Sequence, residues 1–277
     1  MCSIQASELF DNSMILEIEK QDSLVLLLNM CSDLTITTPT TLKDVTRSPE
    51  RDNWIAAINN KLRSMNDEKV FDVVNLRDAL QTQKVSDILS TRWGFTQKKV
   101  PLQYKAHLVA QGFKQTKGIN FEEAFAPTPT FGALWLLLSV AVTRKWMIWT
   151  FDVKVVFLQS LIDMPVFVWL PLGMDIVPGK VSKLNKALYG TKQAARCWWK
   201  HLTTILMDIG FELNKEDLST YTYVSVLGTT LLWIHVDDGV LKASSPHLLE
   251  EIAAEISKNL KIKWDDAITG LVVLSFH

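Results

Sequence analysis

Three aspartates carry the strongest chemical signal in this 277-residue chain. Asp237 and Asp238 stand side by side at the end of an apolar run in LLWIHVDDGV, and Asp152 ends another in WTFDVKVVFL. An apolar run that closes on carboxylates and resumes at Gly239 reads as a β-hairpin, because the acids resist burial and glycine relieves a tight turn. Three converging carboxylates repel one another, and divalent cations remove that repulsion. Two such ions roughly 4 Å apart clamp the attacking and leaving oxygens of a phosphoryl transfer, so nucleotidyl transfer is the chemistry these residues suggest first. An ordinary polar hairpin tip is the alternative, and without Asp152 it would be preferred. A second pair, Asp265 and Asp266 in KIKWDDAITG, lacks a long apolar strand before it and reads as a solvated turn.

The elements that must position these acids can be traced from periodicity. MIWTFDVKVVFL reads as a strand running into a turn or helix, with Asp152 near its end. TYTYVSVLGTTLLWIHV gives two strands joined at Gly228, and GVLKA is the strand after the aspartates. Ala195, Trp198, Trp199, Leu202, Leu206 and Ile209 recur at helical spacing over Lys192 to Ile209, with one tryptophan expected in the core and the other partly exposed. Ser245 and Pro246 open a capped helix, and Ser48 with Pro49 open another whose inner face is Trp54, Ile58, Leu62 and Met65. PVFVWLP is a short strand between prolines. FGALWLLLSVAV, which stops at Arg144, falls short of the ~20 residues of a membrane span and reads as a buried core helix. The alternation of strands and helices predicts an α+β fold, an antiparallel sheet with helices on one face. Residues 1–47, with the patch LVLLLNMC and the Thr-rich LTITTPTTL, read as an unassigned extension or linker before a domain over 48–277.

Composition narrows the classes. A hydrophobic fraction of 48% argues against disorder, and 277 residues can bury a sizeable core. Cys2, Cys31 and Cys197 are odd in number and widely spaced, which supports neither a disulfide framework nor a zinc knuckle. The N-terminus lacks signal-peptide features, so an intracellular chain is expected. A net charge of −1 would ordinarily count against nucleic acid as a partner, but the charge is unevenly spread. From Ile88 to Phe121 there is no acid, while Arg92, Lys98, Lys99, Lys105, Lys114 and Lys117 are present; from Ile176 to Met207 the same holds, with Lys180, Lys183, Lys186, Lys192, Arg196 and Lys200. These two segments bracket the Asp152 strand and would give a basic groove around an acidic centre. Solvated surface is the plainer reading of either alone.

Four blocks in order, YKAHLVAQGFKQTKGINFEEAFAPT, FDVKVVFL, KLNKALYGTKQAARCWW and HVDDGV, make the chain from about Trp54 to Trp264 resemble the reverse transcriptase domain of copia-type retrotransposons, part of their pol polyprotein. The resemblance implies a palm and fingers, RNA-directed DNA polymerisation, and two Mg²⁺ ions, with Mn²⁺ as substitute. It implies that Asp152 is the first palm carboxylate and that Asp237 and Asp238 match the family's YVDD pair, with Asp152 and Asp237 the principal metal ligands and Asp238 completing the set. Phe157 would sit beneath the deoxyribose and clash with a 2′-hydroxyl. Gln193 would contact the incoming dNTP, and Lys105 the triphosphate. An RNA template, a DNA primer and dNTPs are the implied partners, with no membrane; an oligomer or a parent polyprotein is open, as is residence in cytoplasm, virus-like particle or nucleus.

The sequence also departs from that pattern. His107 stands where KARLVA would have Arg, Trp135 where the next helix has Arg, Ala195 where KQAPR has Pro, His235 where the hairpin has Tyr, and Val155–Val156 crowd the turn after Asp152. Neutral histidine does not replace a permanently charged, forked phosphate donor. The chain ends at GLVVLSFH, soon after the expected primer grip, so a missing or truncated thumb and weak hold on primer and template are expected. A catalytically silent remnant that binds nucleic acid, a two-metal nuclease or phosphatase, and a structural protein remain as alternatives.

Overall fold

The computed structural model describes residues 38–266, apart from 100, 172, 173, 175 and 176. Its contacts divide the chain at Pro39, and the unit beginning at Thr40 holds all the elements below. The N-terminal apolar patch with Cys2 and Cys31, and the terminal GLVVLSFH, lie outside the described residues.

The first element corrects the linker expectation. Leu42–Arg47 is a short helix (α1), because Thr41 accepts from the Asp44 amide while the Asp44 carboxylate accepts from the Thr41 amide, and Val45 is fully buried. Helix α2 (Arg51–Asp67) starts later than the Ser48–Pro49 signal suggests, since Ser48 ends α1 instead; its inner face is the expected Trp54, Ile58 and Met65. Strand β1 (Phe71–Asn75) leads through a helical turn to a ribbon of β2 (Thr91–Lys99) and β3 (Leu102–Ala110). Trp54 meets Phe95 and Tyr104 of that ribbon edge-on, with ring centroids 5.5 and 4.7 Å apart, which fixes α2 against it. Helix α3 (Phe131–Arg144), strands β4 (Met147–Val153), β5 (Phe167–Val168) and β6 (Lys180–Leu184), and helix α4 (Ala194–Ile209) follow. The chain then runs β7 (Glu212–Leu213), β8 (Thr220–Ser225), β9 (Gly228–His235), β10 (Asp238–Ala243), α5 (Pro246–Asn259) and β11 (Ile262–Asp265).

Six strands form one antiparallel sheet in the order β11-β4-β10-β9-β8-β7, and β1-β6-β5 form a second. Strand alternation sends Phe151, Val153, Leu232, Ile234 and Leu241 to one face, where they pack with Trp198, Leu202 and Leu206 of α4 and with Leu248, Ile252 and Ile256 of α5. Ser245 caps α5 as expected, accepting from the Leu248 amide at 3.3 Å.

Helices cover both faces of the large sheet, not one. Trp233 and Val240 are buried on the opposite face, joined by the partly buried Ile148, and α3 seals them with Leu134. A second apolar face cannot stay wet, and α3 is the cover. The helix is nonetheless not a core helix throughout: Leu134 and Ala141 are buried, whereas Leu136 and Val142 stand 67% and 76% exposed. Beneath it lies Lys242, 1% exposed, whose ammonium donates to the Leu137 carbonyl and sits 5.6 Å from the Trp146 ring. Burial pulls its pKa down to about 8. Asp265 is on strand β11 opposite Thr150, so only Asp266 occupies the bend expected for that pair. Among the described residues no helix is long and apolar enough to cross a membrane.

Candidate active site

Two neighbouring strands bring the acids together. Asp238, the first residue of β10, is the register partner of Asp152 on β4, so their side chains leave the same face of the sheet as a cross-strand pair. Asp237 lies in the two-residue loop between β9 and β10, and its carbonyl accepts from the Val153 amide at 2.7 Å, tying the loop to the strand that carries Asp152. Asp152 is exposed, and Asp237 and Asp238 are half-buried.

The loop is not relieved by glycine. Val236 takes the positive φ, +60°, at its first position, while Gly239 is already in β10. Only the first loop residue has positive φ, the pattern of a type II′ turn, in which glycine is usual. Gly239 is needed for another reason. A Cβ there would lie 2.2 Å from the Phe151 ring, so the residue lets that ring pack across β10. A second β-branched residue, Val155, has φ +48° just after β4, where the backbone turns sharply into the 3₁₀ segment Val156–Gln159. Left-handed valines cost on the order of 1–3 kcal/mol each and persist where the surroundings over-determine them, typically at functional sites. Behind the hairpin, a cavity of about 260 Å³ is lined by Trp198, Leu202, Ile234, His235 and Val236, and the Trp198 indole donates to the Val236 carbonyl at 2.8 Å.

Electrostatics mark the cluster as unbalanced. The Asp238 pKa is pushed up to about 6 by burial and then by the charges of Asp237 and Asp152. Burial likewise raises Asp237, with Asp152 adding to the effect and its own backbone hydrogen bond and His235 opposing it. The donors are hard carboxylate oxygens, which suit Mg²⁺. Among the described residues no group of three His, Cys, Asp or Glu side chains forms a ready ligand cage. Mg²⁺ in polymerase-type sites takes one or two carboxylates and fills the rest of its octahedron with water and substrate phosphates, so the residues present fit the ion without such a cage.

The other expected residues are spread more widely. Phe157 is 8% exposed and sits in the 3₁₀ segment after Asp152. Lys105 lies on the separate β2–β3 ribbon, and alternation puts it on the same face as His107 and Arg92. The pKa of His107 is lowered by burial and by the charges of Lys61 and Lys105, so at neutral pH it adds no charge to that basic face. Gln193 is wholly buried and does not present a free amide: its Oε1 accepts from Gln115 Nε2 at 2.9 Å and its Nε2 donates to the Asn120 carbonyl at 2.9 Å. It latches the segment after β3 to the start of α4. Trp198 is buried and Trp199 half-buried, as their spacing predicts.

One residue at the site escapes the sequence reading. Tyr189, 38% exposed, packs edge-on against Phe157 with ring centroids 4.5 Å apart, and its phenol pKa is raised by burial and by the charges of Asp237 and Asp152. An aromatic next to glycine in LYGT, between a strand and a helix, is the signal that could have found it.

Comparison with known proteins decides the family: the sequence profile described as reverse transcriptase (RNA-dependent DNA polymerase) matches residues 68–275. The chain belongs to this reverse transcriptase family. The retrovirus-related Pol polyprotein from transposon RE1 of Arabidopsis thaliana is 34% identical over 182 residues, 64% of this chain and 12% of that protein. That from transposon TNT 1-94 of Nicotiana tabacum is 28% identical over 232 residues, 81% of this chain and 17% of that protein. That from Arabidopsis transposon RE2 is 30% identical over 218 residues, 76% of this chain and 15% of that protein. The reverse transcriptase chain thus spans under a fifth of these relatives, and the copia-type resemblance carried by its four sequence blocks is borne out.

Proposed function

We propose that the chain catalyses RNA-directed DNA polymerisation, transferring dNTPs to a primer 3′-hydroxyl on an RNA template, as the reverse transcriptase segment of a longer polyprotein. The six-stranded sheet with α4 and α5 acts as the palm, and the β2–β3 ribbon with α2 as the fingers. The observation that supports this reading most directly is the cross-strand pairing of Asp152 with Asp238, beside a strained turn that offers Asp237.

Asp152, Asp237 and Asp238 would hold two Mg²⁺ ions, which Mn²⁺ can replace; when bound, such ions lower the 3′-hydroxyl pKa and stabilise departing pyrophosphate. The chain's own groups then position. The Asp238 pKa of about 6, with Asp237 raised as well, means that protons compete with a divalent cation for the cluster as the pH falls toward 6, while at neutral pH Asp238 is mostly ionised and ready to bind. Phe157 presents an apolar wall to the nucleotide's sugar, against which a 2′-hydroxyl would be stranded without a partner. Lys105 offers its ammonium to the triphosphate, and Arg92 on the same ribbon face adds to the attraction for phosphate. Gln193 acts at one remove, keeping the segment from Gln115 to Asn120 in place.

Primer extension on an RNA template with Mg²⁺ and dNTPs tests the reading. Incorporation by the wild type that is abolished in Asp237→Asn is the expected result. Cleavage of nucleic acid without dNTPs would point to a nuclease, and salt-sensitive binding without incorporation to a silent remnant; either would overturn it.

A further inference from the structure

Tyr189 is an aromatic residue in the open, on a turn that could hardly be more firmly held. Residues Leu188 to Thr191 form a β-turn closed by the Thr191 amide on the Leu188 carbonyl at 3.1 Å, with the Thr191 hydroxyl donating to the same oxygen at 2.8 Å. Gly190 has φ +87°, the positive value that the third position of a type II turn requires. The turn is also stitched to the end of β3. The Tyr189 carbonyl accepts from the Ala110 amide at 2.8 Å, and the Gly190 carbonyl from the Gly112 amide at 3.1 Å. The backbones approach so closely that a Cβ on Gly190 would lie 2.1 Å from the Ala110 oxygen, and one on Gly112 2.0 Å from the Gly190 oxygen.

What this rigid turn presents is one ring. Tyr189 belongs to no core cluster, its ring meets the Phe157 ring at 63°, and among the described residues its hydroxyl has no hydrogen-bond partner. Phe157, on the 3₁₀ segment that follows strained Val155, is a buried member of the main core cluster, and the Tyr189 ring is set against it.

We propose, resting on the polymerase reading above, that Tyr189 is a positioning residue for sugar selection: it holds the Phe157 ring edge-on and completes a two-ring wall for the sugar of the incoming nucleotide. A deoxyribose presents a methylene at C2′ and packs on such a wall. A ribose must press its 2′-hydroxyl against the Phe157 ring, whose carbons offer it no hydrogen bond. Rejection therefore depends on the Phe157 ring being unable to tilt away, and the Tyr189 ring prevents the tilt. Loss of one edge-to-face contact corresponds to a roughly 2- to 12-fold change in selection.

The test uses the full chain with a primer on an RNA template in Mg²⁺. Single-nucleotide kcat/KM is measured for dATP and ATP, together with equilibrium binding of each to a complex whose primer ends in a dideoxynucleotide. Tyr189→Phe, which keeps the ring, should retain the wild-type preference for dATP. Tyr189→Leu should lose about 2- to 12-fold of it, mainly through a lower KM and tighter binding for ATP. Melting temperatures accompany each variant, and Tyr189→Met replaces Tyr189→Leu should the latter fail to fold. Equal preference in wild type and the aliphatic variant overturns the proposal, as does a Tyr189→Phe variant that selects no better than Tyr189→Leu. A wild type that neither binds nor incorporates nucleotide overturns the polymerase reading and this inference with it; intact wild-type selection with an indifferent Tyr189 overturns this inference alone.

Discussion

Replacing Asp238 by Asn should make the metal-free protein more stable at neutral pH, although it damages the site. Burial, with help from Asp237 and Asp152, raises the Asp238 pKa from 3.8 to about 6. Two pH units at about 1.36 kcal/mol each give close to 3 kcal/mol as an upper bound. The side chain is only half-buried, so solvent screening reduces this to about 1–1.5 kcal/mol. The sign follows from proton linkage. A carboxyl with a raised pKa binds its proton more tightly in the folded state, so the contribution of Asp238 is least unfavourable below pH 3.8 and becomes more so as pH rises toward 6. Asn carries no such penalty. Urea denaturation in chelator, followed by tryptophan fluorescence, should show Asp238→Asn ahead of wild type by about 1–1.5 kcal/mol at pH 7.5, with most of the gain gone at pH 4. A variant less stable than wild type at pH 7.5, or a gain that does not vary with pH, would refute the idea that the acids are crowded.

Adding Mg²⁺ should narrow or close that gap: at ten times its Kd it stabilises wild type by about 1.4 kcal/mol and the Asn variant by less, read as a shift of the denaturation midpoint. Gly239→Ala should destabilise by about 1–3 kcal/mol, because the new methyl meets the Phe151 ring and not solvent; an unchanged midpoint would show that ring to be mobile. Gln193→Ala should cost about 1–3 kcal/mol of stability by stranding its buried partners, whereas a raised KM for dNTP with an unchanged midpoint would restore direct nucleotide contact. His107→Arg should tighten primer–template binding and steepen its salt dependence by about one counterion, measured by titration at several salt concentrations.

Strands β4, β9 and β10 are legible in the sequence because apolar runs bounded by acids and glycine leave few alternatives, and the shared family blocks point to the same residues. The turn between β9 and β10 is not legible in detail. Propensity assigns the strained position to glycine, but Val236 occupies it, and Gly239 is needed by the distant Phe151 ring. Both facts depend on contacts between strands. Gln193 shows the limit of carrying a role across by resemblance, since the carbonyl that occupies its amide belongs to Asn120, 73 residues away. The second helix-covered face was hidden because Trp233 and Val240 alternate with residues that satisfy the first. Tyr189 escapes the sequence pattern because backbone links from its turn to Ala110 and Gly112, both distant in sequence, fix where it stands.

The backbone embrace of Gly112 and Gly190 has a mechanical result. With no side chain between them to act as a cushion, the root of the β2–β3 ribbon and the tyrosine turn must travel as one rigid piece. Any bending of the ribbon therefore falls nearer its tip, where Lys99 pairs with Leu102.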